Sequence, residues 1–266
     1  CKTFVCNFYC HLYCIKEENT VGLSSPLTKN IEVIMNLSLK QQTVFEIILV
    51  LGTMLLIKDV ADRFDVIGAG GIAMWAGILV ATLFMKNENI TWKDRGLSLP
   101  IGKKNWIKSI GLTLFIIVIS IAFMALVPPI ISDLIGVSIP ESSTDRFEFF
   151  LGNPLVFAFY LITVIWVGAA MGEELLMRGF LLNSLFRLFG ESKKGLTWAV
   201  VLHAIIFGML HISQGIPGII STAVVAIILG CVYLYNSRNL FPLIIAHGLI
   251  NSIGLFAYYL SNGAIT

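Results

Sequence analysis

The chain has 266 residues, 57% of them hydrophobic and 13% charged, with a mean hydropathy of +0.87 and a formal net charge of +2. Soluble domains carry roughly 25% charged residues, so this balance excludes an ordinary water-soluble fold and points to a membrane as solvent. No basic stripe suits nucleic acid, and no Gly-rich phosphate loop follows a strand pattern.

Cys1, Cys6, Cys10 and Cys14 crowd the start beside His11, and Cys231 stands apart. Two readings of the start compete. Cys6, Cys10 and Cys14 recur at helical spacing, as a metal-binding tuft would. Alternatively residues 1–34 are foreign to the native protein, because Met35 opens an ordinary start just before the first apolar stretch. The second reading is favoured. No apolar core precedes a small-residue cleavage site, so the segment does not read as a signal peptide.

About 20 apolar residues cross the hydrocarbon core as a helix. The stretches 43–57, 66–85, 106–127, 155–171, 196–211, 216–235 and 240–260 qualify, the first being short. Lipid cannot satisfy free backbone N–H and C=O groups. The predicted fold is therefore an all-α, polytopic transmembrane bundle of about seven spans. Residues 35–150 read as scaffold spans one to three with their loops, and residues 151–266 as a four-helix core. No internal repeat is present.

Lys86, Lys93, Arg95, Lys103, Lys104 and Lys108 separate the second and third spans, which places that loop in the cytoplasm. The next loop, from Pro128 to Pro154, holds Asp133, Glu141, Asp145 and Glu148 against Arg146 and reads as external. Arg187, Lys193 and Lys194 return the chain to the cytoplasm. Alternation then puts the N-terminus inside and the C-terminus outside.

Ionisable groups at membrane depth are functional candidates by default. The second and third spans hold none in their interiors, whereas Glu173, Glu174, Arg178, His203, His211 and His247 all lie in or beside later apolar helix. Glu174 and Arg178, four apart, share a helix face and pair. Glu173 is rotated about 100° away and stays free for chemistry. Phe207 and His211 are one turn apart, and His247 and Asn251 repeat that relation. Glu173 and His211 are nearly equidistant from the hairpin tip around 191–193, so their depths match. His247 reaches them only if that tip protrudes, which polar Asn183, Arg187, Glu191 and Ser192 permit. The turn at 213–218 then needs cover at membrane depth.

Each element has a plainer explanation. Glu174–Arg178 is a structural ion pair, Phe207 is packing, and His203 is more often a core histidine than a participant. Gly68, Gly70 and Gly71 fit close helix packing. Glu173, His211, His247 and Asn251 together are harder to dismiss.

EELLMR at 173–178, FGMLH at 207–211 and HGLIN at 247–251 resemble, in the same order, the motifs of the CPBP family. That family comprises the CAAX proteases, including type II CAAX prenyl endopeptidase, and bacteriocin-processing (Abi-like) proteins. TWKDRGLSLP at 91–100 resembles the stretch before the third span in bacterial members. Met177 departs from the aromatic residue common there. The resemblance covers about residues 155–260 and implies an intramembrane endopeptidase. By it, Glu173 and His211 activate water while His247 and Asn251 stabilise the oxyanion, with Glu174, Arg178 and Phe207 in support. Peptide hydrolysis needs such a base and such donors. The cofactor question has two answers at this point. Glu173, His211 and His247 could ligate zinc with water in the fourth position, and a metal-free, glutamate-dependent mechanism, slightly preferred, uses the same residues.

The expected partners are a peptide or membrane-anchored protein substrate and the lipid bilayer, without nucleic acid. The resemblance implies a bacterial plasma membrane. A non-catalytic immunity or peptide-binding protein of the same fold is the alternative. A proton-coupled carrier is a further one, although the paired broken helices of many carriers are missing.

Overall fold

The computed structural model describes residues 38–136 and 147–263. The Cys-rich start and the acidic residues Glu141 and Asp145 lie outside the described residues. Seven long helices form the described structure, with no strand among the described residues.

Local chemistry sets the helix starts. Helix α1 (Leu39–Arg63) opens on a capping box, in which Ser38 Oγ accepts from Gln41 N while Gln41 Oε1 accepts from Ser38 N. Helices α2 (Ala69–Asn87) and α3 (Lys103–Ile135) follow. Helix α4 (Pro154–Phe189) is capped by the Asn153 side chain, with Pro154 in its first turn. Helix α5 (Lys193–Met209) starts where Ser192 Oγ accepts from Gly195 N at 3.1 Å. Helices α6 (Gly215–Tyr235) and α7 (Phe241–Leu260) complete the set.

All seven expected stretches are helical. Five helical segments are long and apolar enough to cross a membrane: 69–87, 103–134, 154–189, 212–235 and 241–260. The other two are α5, with 17 residues, and α1, whose apolar stretch contains Glu46. The solvent-facing surface is apolar, with Val118 67% and Phe159 69% exposed, while Glu174, Arg178 and His203 are 0% exposed. That inversion of the usual soluble pattern is what a bilayer-facing bundle requires.

Two spans differ from the sequence expectation. The third was expected to end at Val127, yet α3 runs through Pro128 and Pro129 and stops at Gly136, whose left-handed backbone caps it. Part of the expected external loop is therefore helix. The fourth was expected to end at Met171, yet α4 continues for 36 residues in all. Its centre, Leu161–Leu182, is π-helical, with backbone bonds reaching five residues back. Hydropathy windows locate apolar runs, and they are blind both to a proline tolerated within a helix and to a change of helical pitch.

Packing orders the bundle. Helix α1 lies on α2, α2 on α4, α5 on α6, and α3 against α6 and α7, with α7 also on α4. Gly71 and Gly168 let α2 and α4 touch backbone to backbone, since a Cβ on Gly168 would sit 3.1 Å from Gly71 Cα. The close-packing reading thus holds for Gly71 but not for Gly70, whose Cβ position faces open space. Gly68 caps α2 in a left-handed conformation and also lies close to α4, where a Cβ would sit 3.2 Å from Val164 Cγ2.

The segments 88–102, 187–193 and 236–240 meet at one end of the bundle. Leu240 N–H donates to Gly96 O at 2.9 Å, and a Cβ on Gly96 would fall 1.8 Å from Arg238 O. Arg238 pairs with Glu191, and Tyr233 Oη donates to Arg95 O at 2.8 Å. Leu240 also meets Gly179, so α4 extends about 15 Å past the start of α7. The hairpin tip projects past the start of α7, but it is not bare. Arg187 binds Glu46 of α1 and Glu88, and Asn183 is buried, donating to Arg178 O, Gly179 O and Tyr233 Oη.

Candidate active site

The three motifs meet inside the bundle. Helix α4 carries Glu173, Glu174 and Arg178, the α5 end carries Phe207 and His211, and α7 carries His247 and Asn251. Arg178 Nη1 donates to Glu174 Oε1 at 2.8 Å, both side chains being fully buried. The Arg178 guanidinium lies over the Phe207 ring, 4.9 Å from its centroid, and the Phe207 and His211 rings stand 4.7 Å apart. An unbroken run of contacts therefore connects α4 to His211.

The histidines share an arrangement. His211 sits just beyond the last turn of α5, and its Nδ1 lies 2.9 Å from Phe207 O. A carbonyl only accepts, so Nδ1 carries the proton and Nε2 is left for other work. His247 Nδ1 stands 2.9 Å from Glu174 Oε1. A carboxylate flanked by Arg178 accepts there too, and His247 Nε2 then faces Glu173 Oε2 at 3.9 Å. Each ring is held through Nδ1 and presents Nε2.

Glu174 was expected to serve only the ion pair with Arg178. It also holds His247, a bond the motif spacing does not reveal because it joins helices 73 residues apart. The π-helical pitch changes the angle between Glu173 and Glu174 from the α-helical value, while the Glu174–Arg178 contact survives. Glu173 is 18% exposed at its side chain, against 0% for Glu174, so the first carboxylate is accessible and the second enclosed. Asn251 is half-buried one turn beyond His247 and makes no hydrogen bond to Glu173, His211 or His247. No ion pair joins Glu173 to His211.

Gly248 and Trp166 escaped the sequence reading altogether. A Cβ on Gly248 would lie 2.7 Å from the Trp166 ring, so this glycine sets how closely α7 approaches α4 beside His247. A glycine next to a motif histidine was the available signal.

Zinc would need three protein donors around one point. Among the described residues, no group of three or more His, Cys, Asp and Glu side chains is so placed. The Nδ1 bonds of His211 and His247 leave both Nε2 atoms free and are no obstacle in themselves; what is missing is a common point that three donors reach. The side chains as arranged do not form a ligand set for zinc.

Residues 154–253 match the family model described as type II CAAX prenyl endopeptidase Rce1-like. Over this stretch the chain is similar to the Rce1-like family. It runs from the first turn of α4 to the middle of α7 and takes in all three motifs, agreeing with the resemblance read from the sequence. The family is one of endopeptidases, and the apolar helices around the Rce1-like stretch make this an integral membrane protein. No characterised protein and no solved structure matches the chain.

Proposed function

We propose that the protein is an intramembrane endopeptidase of the CAAX-protease type that hydrolyses a peptide bond with water activated by Glu173 and His211. The observation that carries this reading is the accessible carboxylate of Glu173 beside a histidine, His247, that is fixed from behind by a second, enclosed carboxylate.

In the proposed reaction, Glu173 takes a proton from water, with His211 Nε2 orienting the same molecule. The water oxygen attacks the carbonyl carbon of the substrate. His247 Nε2–H and the Asn251 amide donate to the oxyanion. For that donation His247 must carry both protons; Glu173 balances this charge before it takes the water's proton, and the oxyanion balances it afterwards. Glu173 then returns its proton to the departing amine as the C–N bond breaks. Proton and charge balance within the chain's own residues.

The substrate is a peptide or membrane-anchored protein, with a prenylated C-terminal tail as the class favoured by the family match. The bundle end formed by segments 88–102, 187–193 and 236–240 faces the cytoplasm, because Lys93, Lys103, Lys104, Lys193 and Lys194 cluster in or next to it.

The test is cleavage of a prenylated tail peptide, alongside an unprenylated peptide library, by purified protein in detergent. Wild type is expected to cleave, and Glu173→Ala and His211→Ala to lose turnover while still inserting in membranes. Equal turnover in wild type and Glu173→Ala would remove the assignment. Binding without cleavage by both proteins would favour a peptide-binding or immunity role.

A further inference from the structure

His203 lies outside the motif residues and is wholly enclosed, with 0% exposure. It stands two turns before His211 on α5, its ring nearly parallel to that of Phe207 at 15° and 6.4 Å. Arg178, lying over the same Phe207 ring, is within electrostatic reach of His203. His203 Nδ1 and Nε2, Arg178 Nε and Nη2, and Glu174 Oε2 are all buried, and none meets a hydrogen-bond partner among the described residues.

Buried polar atoms in folded proteins are paired with protein groups or with ordered water. An internal water typically makes two to four hydrogen bonds to such atoms. Here donors from Arg178, an acceptor from Glu174, and a ring offering one of each on His203 supply both kinds of partner. An imidazole placed only for packing would gain nothing from its two nitrogens in this enclosure.

We propose that Glu174, Arg178 and His203 enclose ordered water between α4 and α5, and that His203 acts through it as a positioning residue for the Glu174–His247 pair. The water fills the second oxygen of Glu174 and the free nitrogens of Arg178. This leaves Glu174 Oε1 fixed toward His247 Nδ1. The role of His203 in turnover rests on the peptidase reading, whereas its effect on His247 does not.

With only four histidines in the chain, selective ¹⁵N-histidine labelling resolves the rings in detergent-solubilised full-length protein. In wild type, exchange or Overhauser cross-peaks between water and the His203 ring protons are expected. Their absence would overturn the proposal. His203→Leu is expected to shift the Nδ1 and Nε2 resonances of His247, and His203→Gln, which keeps a polar end for the water, to return them toward wild type. A folded His203→Leu protein with unchanged His247 resonances would also overturn it. Should His203→Leu not fold, the wild-type water cross-peaks and the Gln variant decide. In the cleavage assay His203→Leu is expected to lower kcat about tenfold at unchanged KM, a barrier change of roughly 1.4 kcal/mol. If wild type cleaves nothing, the peptidase reading fails alone, and the resonance measurements still test the enclosure.

Discussion

His247 Nδ1 stands 2.9 Å from Glu174 Oε1, joining α7 to α4 by a charge-assisted bond inside the bundle. The same oxygen receives Arg178 Nη1 at 2.8 Å. The second glutamate of the motif therefore does two things. It neutralises a buried arginine, and it fixes which nitrogen of His247 points at Glu173.

Glu174→Gln keeps the size of this side chain and removes its charge. Hydrogen bonds to charged groups contribute about 1.5–3 kcal/mol, so turnover is expected to fall roughly 10- to 100-fold. KM should change little, because Glu174 is enclosed and touches no substrate. Steady-state cleavage with separate kcat and KM checks this. Turnover equal to wild type would reduce Glu174 to a partner of Arg178 alone.

Arg178→Ala leaves the Glu174 charge without its buried partner. Breaking one side of a buried pair typically costs about 3–5 kcal/mol, and the midpoint of thermal unfolding in detergent should drop accordingly. The double replacement Glu174→Leu with Arg178→Met removes both charges and should recover most of that stability while cleavage stays lost. Recovery of both would mean that the pair serves folding only.

The bundle and its membrane setting were legible because apolar runs and their charged borders follow directly from the cost of charge in lipid. The approach of His247 to Glu173 agrees with helix rise and loop position, whereas His211 is tied to α4 only through Phe207 and Arg178. The bond between Glu174 and His247 was not legible, since which neighbour a buried carboxylate chooses depends on interhelical distance. The π-helical stretch of α4 and the continuation of α3 through Pro128 and Pro129 were hidden for a related reason. Neighbouring helices decide whether an irregular backbone is tolerated, and a single sequence does not carry that context.

Arg187 ties the projecting end of α4 to α1 through Glu46 and to α2's end through Glu88, with 19% of its side chain exposed. Partial solvation weakens such pairs, so Arg187→Ala is expected to cost about 1–2 kcal/mol, less than Arg178→Ala. The loss should appear as earlier thermal unfolding and faster proteolysis of the 88–102 connection, with kcat within a few-fold of wild type. A collapse of kcat without loss of stability would assign this cluster to the site instead.

Gly248 follows His247, and a methyl group there would meet the six-membered ring of Trp166 at 2.7–2.9 Å. Contact at that range forces one of the two helices to move, and overpacking of this kind costs typically 1–3 kcal/mol. Helix α7 carries both His247 and Asn251, so even a small outward shift lengthens the 3.9 Å approach of His247 to Glu173. Gly248→Ala is therefore expected to lower kcat by more than tenfold, because misplacement near 1 Å can cost about a hundredfold. Trp166→Leu opens the space that the methyl requires. The double variant should regain activity that Gly248→Ala alone lacks, and the departure from additivity measures the contact. Additive losses in the cycle would show that Gly248 acts on the site by some route other than the Trp166 ring.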